Sequence, residues 1–434
     1  MIAHLAFTCF LLGLTILNYY AGRRNVLYPA FLFALIWLVV FCLYMAPLIE
    51  FGNLGVYTLA VVVSGAAAFS AGCAIVGRRK HSLPALVSPC RNSISKKFIF
   101  FFCLGVLPAF FLEVRELGGG GGLGGLLIGA RVAILDAIMN GETPLSRICT
   151  IAVTLAMCSA FIFVIEAREW HKEWGWVCAS ILVALAFSFL TTGRTQFLNL
   201  VVGLLGIYLL KSRRFSVREA WKLARWPLLA LLVLLSVSVL INKDISGLQG
   251  GTTEVLERYI YGYVVTPLAG FDYVVRHPSQ YEHEPNHTFR DVLPSLARFL
   301  EFRYTPPPQF DDQLVAPLDT TVYTVFKFYY VDFGFVGMLV AMFLIGAGQT
   351  WLFRKALTGD DFYIFLFAIS LFPLMMIAFD DMYTSFLGYL KYLALALLYF
   401  RVLRTIPVGA WADFRQTPKT DVSVSKSFTG EHTV

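Results

Sequence analysis

Across 434 residues, 58% are hydrophobic and only 15% are charged, with a mean hydropathy of +0.69. Soluble domains carry about 25% charged residues, so a reading as two or three soluble domains fails. The net charge of +7 does not point to nucleic acid either, because the basic residues sit in short segments between long apolar runs.

Taken in chain order, apolar runs predict an all-α polytopic membrane protein with about eleven spans. They fall at 2–20, 26–48, 56–76, 98–114, 148–165, 176–191, 196–210, 227–242, 333–353, 362–379 and 386–400. The first run has no basic region ahead of it, and Arg23 and Arg24 follow it, so it reads as a span rather than a cleavable signal. Segments 21–25, 77–97, 166–175, 211–226 and 354–355, with the C-terminal tail, hold 23 of the 35 basic residues. The positive-inside rule makes those segments cytoplasmic, with an outer N-terminus and an inner C-terminus. The cysteines at 9, 42, 73, 90, 103, 149, 158 and 178 lie mostly in apolar runs without CxxC spacing, so they give neither a disulfide framework nor a zinc pattern.

Four regions result. Residues 1–242 carry the first eight spans and a Gly-rich outer segment at 115–147. Its glycine run at 118–122 lacks the following Gly-Lys-Ser/Thr of a phosphate-binding loop. It reads as a hinge before a short amphipathic helix at 130–139 bearing Arg131 and Asp136. Residues 243–332 form a large, proline-punctuated, partly helical outer loop, with helices expected near 254–276 and 289–304, ending in an amphipathic interfacial stretch at 321–332. Residues 333–400 hold the last three spans, and 401–434 read as a cytoplasmic tail whose final thirty residues, Ser/Thr-rich and weakly basic, are expected to be disordered.

Cations on the outer side run against the topological bias, and most are arginines, whose planar fork grips phosphate in two places. Arg194 stands at a span junction, where a guanidinium needs a partner, a water-filled cavity or the headgroup layer. Arg290 and Arg298, eight apart on an expected helix at 288–301, share a face, and Asp291 and Glu301 are their alternative ion-pair partners. Of His277, His283 and His287, the last stands next to that helix and suits a general base near neutral pH. Pro285 breaks the spacing a zinc site would need, so no metal is expected. Asp319, Asp332, Asp380 and Asp381 are carboxylates able to take a sugar hydroxyl's proton. Tyrosines of the outer loop offer flat faces for sugars, although Tyr is also common at membrane interfaces.

Thr192-Gly193-Arg194-Thr195 at a span boundary, followed by Thr321-Val322-Tyr323-Thr324 and Tyr329-Tyr330-Val331-Asp332-Phe333-Gly334, resembles the oligosaccharide repeat-unit polymerases, the O-antigen polymerases of the Wzy type. Where that pattern has Asn before Val-Tyr-Thr, this chain has Thr321. The resemblance implies a GT-C-like glycosyltransferase of the bacterial inner membrane, working on the periplasmic side without metal or other cofactor. Its substrate would be an undecaprenyl-pyrophosphate-linked oligosaccharide, transferred with inversion onto the non-reducing end of another lipid-linked repeat. Membrane lipids and a chain-length regulator would be its partners, and nucleic acid would not. In this frame Arg131, Arg194, Arg290 and Arg298 are pyrophosphate ligands and Tyr323, Lys327 and Tyr330 are glycan contacts. Asp332 or His287 is the catalytic base. A ligase acting on lipid A-core and a flippase of the lipid-linked unit are the rival readings.

Overall fold

The computed structural model describes residues 2–46, 54–78, 93–119, 123–139, 145–167, 170–191, 194–212, 261–278, 287–290, 292–301, 314–315, 319–320, 322–384 and 386–404. The described residues are helical apart from turns and one minimal antiparallel pair, β1 Leu314–Val315 with β2 Asp319–Thr320. Among the described residues, seven helices are long and apolar enough to cross a membrane: Ile2–Ala21, Val56–Arg78, Ser95–Gly118, Arg147–Glu166, Lys172–Leu190, Thr195–Ser212 and Phe326–Leu357. Shorter apolar helices at Pro29–Met45 and Asp361–Met375, with Phe386–Leu397, coincide with three further expected spans. The expected span at 227–242 and the expected tail from residue 405 on lie outside the described residues, while residues 401–404 are described and Leu398–Leu403 is helical.

Local chemistry sets several of these boundaries. Pro29 opens its helix at a position where no backbone donor is needed. The Ser146 hydroxyl accepts the Cys149 N–H at 3.3 Å, and Asp360 accepts that of Phe362 at 3.0 Å, each capping the helix that follows. Gly359, at φ 85°, provides the left-handed turn between Phe326–Leu357 and Asp361–Met375.

The central pair is α3, Val56–Arg78, packed along Phe326–Leu357. Gly72 lies against the Phe343 carbonyl and Gly346 against that of Phe69, so neither position has room for a Cβ. Close backbone approach through small residues is the usual way helices associate in lipid, where no hydrophobic drive exists between them. Phe33 stacks on Phe69 at 4.0 Å and Trp37 on Phe326 at 5.0 Å, filling the space beside the pair. Many large apolar side chains instead face outward, including Leu17, Phe98, Val336 and Leu344, as a lipid-facing surface requires.

Three sequence expectations need correction. The amphipathic stretch before the ninth span is itself helical from Phe326, and one 32-residue helix runs on to Leu357. It is broken at Gly334 (φ 67°, ψ −173°), a backbone state open to glycine because it lacks a Cβ. Further, the helix expected at 288–301 spans only Leu293–Leu300, with Pro294 in its first turn. Arg290 lies before it, in the turn 287–290, so Arg290 and Arg298 do not share a helical face. The short amphipathic helix expected at 130–139 is longer, Leu123–Met139, and includes much of the glycine-rich segment.

The described residues of the basic segments gather at one end of the bundle. Arg354 donates to the carbonyls of Val76 and Gly77, and Lys211 to those of Val164, Ile165 and Ala167. Lys96 pairs with Glu166 at 3.4 Å, and Arg404 reaches Glu166 at 3.6 Å and Asp361 at 2.9 Å. Helix ends that the charge pattern assigns to one side are thus neighbours in space. At the opposite end, the helix Thr266–Arg276, which falls in the expected outer loop, is fixed to the start of α3 through Asp272. That carboxylate accepts Gly55 N–H at 2.9 Å and Thr58 Oγ1 at 2.6 Å and pairs with Arg276 at 2.7 Å.

Candidate functional site

Among the described residues, the end remote from the basic segments gathers several chemically able side chains. Three chain segments meet there: the turn 287–290, the stretch 322–333 leading into the broken helix, and the connection 376–384 after Asp361–Met375. The Val325 N–H donates to the Ile377 carbonyl at 2.9 Å, joining the second segment to the third. Asp332 joins the second to the first, because its two carboxylate oxygens accept the N–H groups of His287 at 3.2 Å and Thr288 at 2.7 Å.

Each candidate on these segments has a definite setting. The His287 imidazole is buried and lies parallel to the Phe328 ring, 5.5 Å between centroids. Lys327, 1% exposed, places its ammonium 3.9 Å from the centroid of the buried Tyr323 ring. That distance gives a cation–π contact. The Tyr323 face is therefore occupied by Lys327 rather than open to a sugar. Tyr330 is half-buried, edge-on to Phe271 at 5.9 Å, so it ties the broken helix to the docked outer-loop helix.

Asp380 and Asp381 complete the cluster. The Asp380 carboxylate accepts the Asp381 N–H at 2.8 Å, and Asp381 accepts that of Tyr383 at 2.9 Å. Burial pushes both carboxyls above the ordinary aspartate range, and the charge of Asp380 raises Asp381 further. Arg290 and Lys327 act on Asp380 in the opposite sense, which places both cations within electrostatic reach of it. The Tyr329 hydroxyl faces Asp381. Tyr383 continues inward: its hydroxyl accepts from Gln349 Nε2 at 3.1 Å, and Gln349 exchanges hydrogen bonds with Ser370.

The site residues expected from sequence divide into two groups. Asp332, His287, Arg290, Tyr323 and Lys327 come together, with Tyr330 on the same short helix. Arg131 is half-buried on Leu123–Met139, a helix packed against Ser93–Gly118. Arg194 opens the helix Arg194–Ser212, and Arg298 lies on Leu293–Leu300. These three positions lie outside the three converging segments. His283 and Asp291 lie outside the described residues. Sequence reasoning missed Gln349 and Tyr383, although an amide inside an apolar run is itself a signal that something must satisfy it.

Chemically, the cluster brings together the cations Arg290 and Lys327, two carboxylates of raised proton affinity and one imidazole. Among the described residues, no three His, Cys, Asp or Glu side chains form a group that would hold a metal ion. Comparison with protein-family models, curated proteins and solved structures finds no match.

Proposed function

We propose that this chain is a membrane glycosyltransferase, a polymerase of lipid-linked oligosaccharide repeats, with its reacting centre at the cluster of Arg290, Lys327, Asp332, Asp380 and Asp381. The observation that carries the reading is one of place. The polymerase-like motif 322–334, the His287–Arg290 turn and the Asp380–Asp381 pair converge at the end of an apolar bundle opposite the basic segments. On this reading that end is periplasmic and the bundle lies in the bacterial inner membrane.

The reaction follows from these groups. The acceptor sugar hydroxyl attacks the anomeric carbon of the glycan held on undecaprenyl pyrophosphate, and its proton passes to a carboxylate. Asp380 and Asp381 suit this task better than Asp332, since their raised proton affinity makes them stronger bases. Asp332, with both oxygens engaged by backbone N–H groups, is instead a positioning residue that holds the turn bearing His287 and Arg290. The bond from the anomeric carbon to the pyrophosphate oxygen breaks as the new glycosidic bond forms on the opposite face. Arg290 and Lys327 stabilise the charge on the departing pyrophosphate.

The test is glycan analysis of a strain lacking the gene, joined to polymerisation of a purified lipid-linked repeat by the purified protein. A lipid A-core capped by a single repeat, restored to full polymer by the wild-type chain and not by Asp380→Asn with Asp381→Asn, is the expected result. Complete absence of a cap points instead to a ligase or flippase, and unchanged polymer overturns the proposal.

A further inference from the structure

Gln349 is an amide buried inside an apolar helix, and it is directed at the segment that carries the acids. It lies in Phe326–Leu357 and is 4% exposed. A polar side chain at such a place costs free energy unless its hydrogen bonds are made. Both its N–H groups and its carbonyl are engaged across elements. The Nε2 atom donates to the Ser370 carbonyl at 3.0 Å and to the Tyr383 hydroxyl at 3.1 Å, and Oε1 accepts from the Ser370 hydroxyl at 3.1 Å. A backbone carbonyl can only accept, so Ser370 fixes which end of the amide is nitrogen.

Two of these bonds join Phe326–Leu357 to Asp361–Met375, the ordinary use of a polar side chain between spanning helices. The third reaches the connection 376–384. Tyr383 stands two residues beyond Asp381 in that connection. Its hydroxyl meets Gln349, while its backbone N–H donates to Asp381 Oδ1 at 2.9 Å. The same stretch is closed by the Thr384 hydroxyl on the Asp381 carbonyl at 3.1 Å and by the Asp381 N–H on Asp380 Oδ1 at 2.8 Å. A tyrosine side chain has few torsions, so fixing its hydroxyl also restrains its Cα and N–H. The direction of the Asp381 carboxylate follows from that N–H.

We infer that Gln349 is a positioning residue for Asp381, acting through the Tyr383 hydroxyl from within the apolar helix. This rests on the reading above in which the Asp380–Asp381 pair takes the acceptor's proton. Such a transfer needs the carboxylate within hydrogen-bond reach of the sugar hydroxyl. A displacement of about 1 Å, even one originating far from the reacting atoms, lowers turnover by up to about 100-fold. The Tyr383 N–H favours the ionised carboxylate and the neighbouring Asp380 disfavours it, and Tyr329 and Tyr389 also face Asp381. Loosening the Tyr383 N–H bond therefore raises the proton affinity of Asp381.

Two measurements on the full-length protein in lipid nanodiscs test this, using Gln349→Leu, Tyr383→Phe and the double variant. Infrared difference spectroscopy follows the carbonyl stretch of the protonated Asp381 carboxyl, identified by its absence in Asp381→Asn, and needs no turnover. Each single variant should move that titration to higher pH, and the double variant should move it no further than the larger single shift. In polymerisation of purified lipid-linked repeat, kcat should fall about tenfold or more with KM little changed, again without additivity. Tyr383→Phe keeps the ring and carries the test where Gln349→Leu does not fold. Infrared shifts in the variants, with no polymer made by the wild type, sustain the Gln349–Tyr383–Asp381 linkage and sink the glycosyltransferase reading instead. An unmoved Asp381 titration in folded variants overturns the inference, as do additive losses of kcat. Lower thermal stability with both readouts unchanged makes Gln349 a bond between helices and nothing more.

Discussion

Asp332→Asn separates positioning from proton transfer. In the wild type each carboxylate oxygen accepts one backbone N–H, from His287 at 3.2 Å and Thr288 at 2.7 Å. Asparagine keeps one acceptor oxygen but turns an NH2 group toward the other N–H, so one charge-assisted bond becomes neutral and the other becomes a donor–donor contact. Hydrogen bonds to charged groups contribute about 1.5–3 kcal/mol, against roughly 0.5–1.5 for neutral ones. A loss of about 2–3 kcal/mol therefore loosens the turn by roughly 30- to 150-fold in its open-to-docked ratio. Hydrogen exchange of the 287–290 amides should rise accordingly. In polymerisation assays with purified lipid-linked repeat, KM should rise as Arg290 loses its setting, while the pH profile keeps its shape. A lost general base would instead lower kcat by about 100-fold or more with little change in exchange. Unchanged exchange together with unchanged KM refutes the positioning role.

Three further outcomes follow. Arg404→Met should lower thermal stability in detergent by about 3–5 kcal/mol, because Glu166, 1% exposed, would keep only part of its neutralising charge; a wild-type melting temperature would contradict this. Arg194→Ala should abolish polymer at normal membrane levels, and Arg194→Lys should also be poor because an ammonium cannot reproduce the bidentate fork. Full-length polymer from either makes Arg194 a structural anchor. If Asp380 or Asp381 is the base, the acidic limb of the rate profile lies above the ordinary aspartate value of ~3.9, since burial raises both groups. A limb at or below that value removes them from the role.

What was legible in the sequence was what periodicity and charge encode. Ten expected spans fall on described helices because an apolar run of that length in lipid must satisfy its own backbone, and the helix does so locally. The alternation of basic segments likewise foretold which helix ends are neighbours, as the Lys96–Glu166–Arg404 contacts show. Side-chain partnerships across large sequence distances were not legible. Asp332 was read as a possible base, and nothing in its neighbourhood along the chain indicates that its oxygens bind amides 44 and 45 residues earlier. Asp272 went unnoticed although it docks the outer loop on α3, for the same reason. Arg290 and Arg298 were placed on one helix from spacing alone, which does not reveal that Pro294 sits in the first turn of a shorter one.

The two ends of the bundle treat buried charge in opposite ways, and the difference yields a last prediction. At the basic end, Glu166, Asp360 and Asp361 each have a cation within 4 Å. At the other end, among the described residues, neither Asp380 nor Asp381 has a cation that close, and the two carboxylates are adjacent. A buried carboxylate with no cation close by costs stability, and residues of that kind concentrate at functional sites. The raised carboxyl of Asp381 means the native state binds protons more tightly than the unfolded chain. Stability therefore falls as pH rises from ~3.9 through the raised value, and the full penalty is present above it. Asparagine mimics the protonated acid: its oxygen still accepts the Tyr383 N–H, and its amide group faces the Tyr329 hydroxyl. Asp381→Asn should thus melt higher than wild type by ~2 °C or more at pH 8. The gain should vanish as pH falls below ~3.9, and polymerisation should be lost at every pH. A variant that is both less stable at pH 8 and fully active would show that Asp381 is a structural acid, satisfied where it stands.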